Sequence, residues 1–274
     1  LAIAAGDEDA IDQLEELYTA TESWRECVGI LEQKAENTPD TYDRVSILFR
    51  MAEMCQEQLD DADGSRRAYA SILKVQPNNI DAYEQLVTAY EAEERWEELV
   101  QLLVGRLEFA DDSYEQVEIY SRTAEIFEIK LESIENAFVV LSQAFETTLD
   151  DERFGGELAR LAGECDSWGP LIETYQTVIE KVGQTIESVP MRLRVASWWD
   201  DKFQNAENAA IHYQHVLAIE PDNLEALSAL EILLERYESW EKTVDVLQRK
   251  VELTAEPDER KLAYEKMARN LETQ

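Results

Sequence analysis

A chain of 274 residues with 60 acidic and 25 basic side chains carries a net charge of −35, which opposes binding to nucleic-acid phosphates and to anionic membrane surfaces. With 45% hydrophobic and 31% charged residues, only 9 Gly and 6 Pro, and no low-complexity tract, the composition suits folded helices better than disorder or an all-β fold. Cys27, Cys55 and Cys165 are widely separated and lack CxxC spacing, so neither a disulfide framework nor a zinc site is expected. No run reaches the roughly 18 apolar residues of a membrane span. A cytoplasmic location is preferred, with the periplasm or exterior as the alternative if a leader has been removed, because the chain begins at Leu1 rather than Met.

In chain order, the apolar spacing predicts helices over 9–20, 23–36, 41–59, 62–75, 80–92 and 94–110. Breaks such as "QPNN" at 76–79 and "EPDN" at 220–223 combine a helix-stopping Pro with capping Asn or Asp. The pattern then recurs, because the sequence repeats with a period of 72. Trp24, Trp96, Trp168 and Trp240 fall at that interval, as do Ala52, Ala124, Ala196 and Ala268, and Arg50, Arg122, Arg194 and Lys266. About 15 helices are expected, in one domain over 1–274 with units 9–80, 81–152, 153–224 and an incomplete 225–274. No polar capping helix stands at either end, so a segment of a longer array is expected.

These residues resemble the tetratricopeptide repeat, whose signature is W-x2-L-G-x2-Y, then A-x3-F, then P. Tyr83, Leu86, Val87 and Tyr90 occupy the first set; Ala209, Tyr213 and Pro221 fill the second, as do Ser65, Tyr69 and Pro77 with one small-residue change. The other half-unit carries Tyr120, Thr123, Ala124 and Phe127 at the first set. The resemblance implies an all-α, right-handed α-solenoid of stacked antiparallel helix pairs. Two departures stand out. The unit is longer than two 34-residue repeats, an excess that a further helical turn can absorb, with 41–59 among the long helices. In the tryptophan-bearing pairs Leu99 or Cys27 replaces the small Ala, so wider packing and two alternating pair geometries are expected.

The four tryptophans at one register read as markers of unit-to-unit packing. The bases Arg50, Arg122, Arg194 and Lys266 sit on first helices just before the small Ala. One reading is an ion pair with an acid on a neighbouring helix. The other is a ladder of cations that meets the carboxylates of a bound peptide. Trp199 aligns with Phe127, Cys55 and Leu271 and reads as core, whereas Trp198 aligns with Met54, Ile126 and Asn270 and reads as a partly exposed hot spot. "RFGG" at 153–156 puts two glycines near a helix start, where they weaken the helix or permit close approach. His212 and His215 lack a third metal ligand, acid runs such as "EAEERWEE" at 91–98 read as solvent faces, and no phosphate loop, serine elbow or His-Glu-x-x-His motif is present.

The expectation is a non-enzymatic scaffold with no cofactor and no metal, binding a protein or peptide partner along a groove through Arg50, Arg122, Arg194, Lys266 and Trp198. Arrays with "W-E-E-L-V" signatures resemble large bacterial repeat proteins of assembly and motility machinery, which implies a place in a larger assembly. An architectural spacer or self-associating rod is a second reading, and an acidic chaperone for basic clients a third.

Overall fold

The computed structural model describes residues 8–149, 151–254 and 256–272. Fifteen α-helices and no strand are found among them: α1 (Glu8–Ala20), α2 (Trp24–Asn37), α3 (Thr41–Glu57), α4 (Ala62–Val75), α5 (Ile80–Ala92), α6 (Trp96–Arg106), α7 (Ser113–Glu125), α8 (Ile134–Thr148), α9 (Asp151–Glu164), α10 (Trp168–Val182), α11 (Ser188–Asp201), α12 (Ala206–Ile219), α13 (Leu224–Arg236), α14 (Trp240–Leu253) and α15 (Pro257–Glu272). The fold is all-α, built from consecutive helices that pack on one another through short turns. The chain forms two compact units, Leu1–Ser133 and Ile134–Gln274. Each is described by itself.

The 72-residue period is written into the backbone as well as the side chains. Glu22, Glu94, Asp166 and Glu238 are left-handed, with φ of 54°, 54°, 52° and 54°, and so are Asp60, Glu132 and Gln204, at 51°, 50° and 51°. In the first set the following N–H closes back onto the helix, from Ser23 to Tyr18 O at 2.8 Å, Arg95 to Tyr90 O at 2.8 Å, Ser167 to Ala162 O at 2.9 Å and Ser239 to Leu234 O at 2.9 Å. This is the Schellman closure that satisfies carbonyls at a helix end, made here without glycine. The starting caps recur too. Asp40 accepts from Tyr42 and Asp43, Asp112 from Tyr114, Asn79 from Ala82, and Asn223 from Ala226, each worth about 1 kcal/mol. The tryptophan-bearing helices have no such cap; Ser23, Arg95, Ser167 and Ser239 make no side-chain capping bond.

In the first unit one cluster joins α2, α3, α4 and α5 through Leu31, Leu48, Ala52, Ala68, Ile72 and Leu86. A second joins α5, α6 and α7 through Leu99, Leu103 and Ile119. In the second unit Ala196, Ala209, Val216, Leu227 and Leu230 form the corresponding core of α11 to α13. The small residues Ala52, Ala68, Ala196 and Ala209 are fully enclosed, so these helices approach closely. The register of Ala209 in α12 holds Cys27, Leu99, Leu171 and Thr243 in the tryptophan-bearing helices, all also enclosed. At 17 residues α3 is the long helix that the sequence suggests. Its period counterpart instead follows α7 with a π-helical turn over Ile126–Lys130, closed by Leu131 N–H to Ile126 O at 3.0 Å.

Candidate interaction surface

The repeated bases lie on the first helices, where Arg50, Arg122 and Lys266 each reach back to an acid on the preceding first helix. Arg50 on α3 donates to Glu15 on α1, Arg122 on α7 to Glu91 on α5 at 2.6 Å, and Lys266 on α15 to Glu231 on α13. Arg194 holds the same register on α11 and is half-buried. Glu15 and Glu231 are buried, and each takes a second cation, Lys34 at 2.7 Å and Lys250 at 2.6 Å. Burial would raise both carboxyls, but the hydrogen bonds from these cations hold them below the usual carboxylate range. The bases keep an exposed flank: Arg122 uses Nη2 on Glu91 while 39% of its side chain stays in water, and Arg50 is 50% exposed. The acids at 91–98 are more than a solvent face, since Glu91, Glu93 and Glu98 hold Arg122, Arg66 and Arg95.

Each of Trp24, Trp96, Trp168 and Trp240 is the first residue of its helix and is half-buried. A cation covers two of the rings, one period apart: Lys130 Nζ lies 5.0 Å from the Trp96 centroid and Lys202 Nζ 4.3 Å from that of Trp168. The lysine repeat was readable in the sequence, but two copies among many charged residues carry little signal.

Trp198 corrects the expectation of partial exposure. It is buried, edge-on to Tyr175 at 4.8 Å and tilted against Trp168 at 6.1 Å, both on α10, while half-buried Trp199 packs on Phe203 at 5.1 Å. A first helix touches second helices on two sides, so neighbouring residues about 100° apart on it can face different partners. The position before the inner aromatic therefore faces the preceding second helix rather than water. Helix α9 runs unbroken through the glycine pair of "RFGG". A β-carbon on Gly156 would meet nothing within 4 Å, so no close approach calls for glycine there.

Inside the α11–α12 joint, buried Arg192 donates to Ser188 Oγ at 3.2 Å and to the Gly183 carbonyl at 3.5 Å, and its Nη1 lies 3.1 Å from His215 Nδ1. Burial, with the charges of Arg192 and His215, pushes the His212 imidazole down to about 4. His215 thus serves the buried cation, while His212 lies edge-on to His215 at 6.4 Å. Among the described residues no group of three His, Cys, Asp or Glu is placed to hold a metal. No helix there is long and apolar enough to cross a membrane.

No family model matches the chain, and no curated protein matches it. Solved structures similar to it include MamA, at 15% identity over 76% of this chain and 91% of that one with a TM-score of 0.32. YrrB, described as a TPR protein with an unusual peptide-binding site, is 16% identical over 67% and 90% with a TM-score of 0.31. The C-terminal part of a TPR repeat-containing protein from Cytophaga hutchinsonii is 11% identical over 90% and 97% with a TM-score of 0.40. Overlaps this loose carry no weight for site or function. The tetratricopeptide-like character stands on the chain's own helix pairs, period and turns.

Proposed function

We propose that this chain is a non-enzymatic scaffold that engages an acidic peptide or protein segment along its first helices, as one part of a larger assembly. The observation that supports the reading is that half-exposed bases recur at one register within each unit, Arg50 and Arg122 in the first and Lys266 in the second. Each spends part of its hydrogen-bonding capacity on a neighbouring acid and keeps a flank in water, in a chain where acids outnumber bases 60 to 25. A guanidinium has five donors in a planar fork, so one held by a single carboxylate can still take a second. Arg194 holds the same register in the second unit.

The experiment is affinity capture from the native source, comparing wild type, Arg122→Glu with Arg194→Glu, and Arg122→Gln with Arg194→Gln. Partners held by the ladder should be lost from the reversed variant and weakened in the neutral one, with unchanged melting of the neutral one as the folding control. An identical partner list across all three would remove the ladder from the binding surface. A second reading, an architectural rod, draws on the same ion pairs, because each staples one first helix to the next. It predicts that neutralising Arg122 lowers stability and leaves every partner in place.

A further inference from the structure

Helices α8 and α10 pack side by side in the second unit and leave a cleft of about 450 Å³ between them. Phe138, Val139 and Pro170 give it apolar surface, Glu146 and Glu173 give it two carboxylates, and no Lys, Arg or His lines it. Two hydroxyls in the lining stand out. Thr174 is 8% exposed and Ser142 9%, yet neither makes a hydrogen bond among the described residues. Other helical threonines of the chain return the hydroxyl to the carbonyl one turn back, as Thr123, Thr147, Thr177 and Thr243 do. Buried hydroxyls without a partner are costly and rare, so two of them on one cleft point to a polar ligand. Glu173 makes no ion pair among the described residues, and Glu146 Oε2 is 3.8 Å from Lys181 Nζ. One period on, between α12 and α14, a cleft of about 520 Å³ occupies the same place with its chemistry exchanged. Pro170, Thr174 and Glu146 are replaced there by Lys242, Val246 and Ala218. The packing of second helices thus makes the cleft, and its lining side chains decide what it takes.

We infer that the α8–α10 cleft is a docking site for a lysine side chain of a basic partner segment. The inference rests on the reading of the chain as an interaction scaffold, but gives this contact the opposite charge from the one at the first-helix bases. A lysine brings an apolar stem, which Phe138, Val139 and Pro170 can cover, and an ammonium with three donors and no acceptor. The Thr174 hydroxyl and the carboxylates of Glu173 and Glu146 supply acceptors, and no cation in the lining competes for them. These acceptors come from separate side chains on two helices, which suits a compact ammonium better than a planar guanidinium that favours one bidentate carboxylate. A charged donor makes the stronger hydrogen bond, and a net charge of −35 draws basic segments towards the chain.

The test uses a fluorescent Gly/Ser peptide with one central lysine, capped at both ends, and a norleucine twin that keeps the stem and loses the charge. Both are titrated into the full chain, followed by anisotropy and by the NMR shift of the Thr174 methyl. Wild type should bind the lysine peptide and move that methyl, and should bind the twin at least about tenfold more weakly. Thr174→Val should weaken binding about tenfold while melting at or above wild type, since the next cleft carries Val246 at that register. Pro170→Lys, an exposed change that copies Lys242, should cost at least about tenfold by repulsion. The probe has no carboxylate for Arg50 or Arg122 to hold, so its failure is distinct from failure of the first-helix reading. The inference is overturned by undiminished binding to Thr174→Val or Pro170→Lys, or by a Thr174 methyl that stays in place up to about 10 mM peptide. Equal binding of the two peptides would assign the cleft to an apolar side chain and overturn it as well. Concentration-dependent self-association that Pro170→Lys abolishes would assign the cleft to a second copy of the chain and overturn the partner proposed.

Discussion

The α3–α4 joint of the first unit and the α11–α12 joint of the second occupy the same place in the repeat, 144 residues apart, and they solve the same packing problem with opposite chemistry. Both keep the close-packing set: Ala52, Ser65, Tyr69 and Ile72 in one, Ala196, Ala209, Tyr213 and Val216 in the other. Around that set the first joint places Leu48, Ala68 and Ser71, and the second places Arg192, His212 and His215. Leu48 and Ala68 are buried apolar groups, while Arg192 is a buried guanidinium whose partners are a hydroxyl, an imidazole and a carbonyl. Helix pairing is thus set by the small and aromatic residues. Among the positions around them, the guanidinium of Arg192 is accommodated by partners supplied with it.

The sharpest way to break the comparison is to give the first joint the second joint's cation alone. Leu48→Arg introduces a guanidinium with neither Ser188 nor His215 to accept from it, and should destabilise by about 3–5 kcal/mol in urea melts. A loss under about 1 kcal/mol would mean that the joint is open to water. Next comes the turn into α4. A β-carbon on Gly64 would lie 2.5 Å from Asp61 Oδ2 and 2.8 Å from Cys55 Sγ, whereas the second unit has Asn208 at the same register. Gly64→Asn should therefore cost about 1–3 kcal/mol, because the capping carboxylate of Asp61 must move; an unchanged melting temperature would refute the close approach.

A change common to both units comes third. Glu15 and Glu231 occupy the same register three periods apart, and Glu231→Gln should cost about 1–2 kcal/mol at neutral pH, less than a fully enclosed pair because Lys250 and Lys266 reach water. A carboxyl held below its ordinary range contributes stability above that range and loses it as pH falls through the depressed value. The Gln variant should accordingly show a shallower acid loss than wild type, and an identical acid profile would count against the linkage.

The second joint should add a window of its own. His212 titrates near 4 when folded and 6.5 when unfolded, so the unfolded chain takes the proton first. Stability falls as pH drops from 6.5 towards 4, by on the order of 1 kcal/mol after allowing for solvent. His212→Ala, the residue of the first unit, should flatten that slope in melts followed by tryptophan fluorescence; a slope that persists would place its origin elsewhere. The smallest effect belongs to α9. Gly156→Ala should stabilise by about 0.5–1 kcal/mol, since its helix is continuous and the new methyl meets open space. A destabilised variant would show that the glycine is needed.

Much of the fold was legible because period and helical spacing reinforce each other. The helices expected over 62–75 and 80–92 coincide with α4 and α5, and that over 41–59 overruns α3 by two residues. The stretch over 94–110 breaks up at its end into a 3₁₀ turn at Leu107–Phe109. The site was less legible. That the ladder bases exist follows from a one-dimensional repeat, but their partners Glu15, Glu91 and Glu231 lie 31 to 35 residues away, among 60 acids. Trp198 misled because the repeat gives its position on the helix, whereas its burial depends on Trp168 and Tyr175 one helix earlier.

The left-handed turns carry a consequence for how such a chain can change its length. Glu22, Glu94, Asp166 and Glu238 share one backbone conformation to within a few degrees. If a stretch of 72 residues is duplicated or excised between any two of them, the join receives the same handedness and the same closing bond that the turn had before. Array length can then vary by whole cassettes with no new turn to be invented, and the side chains around each turn, rather than its path, are what a lineage must refit.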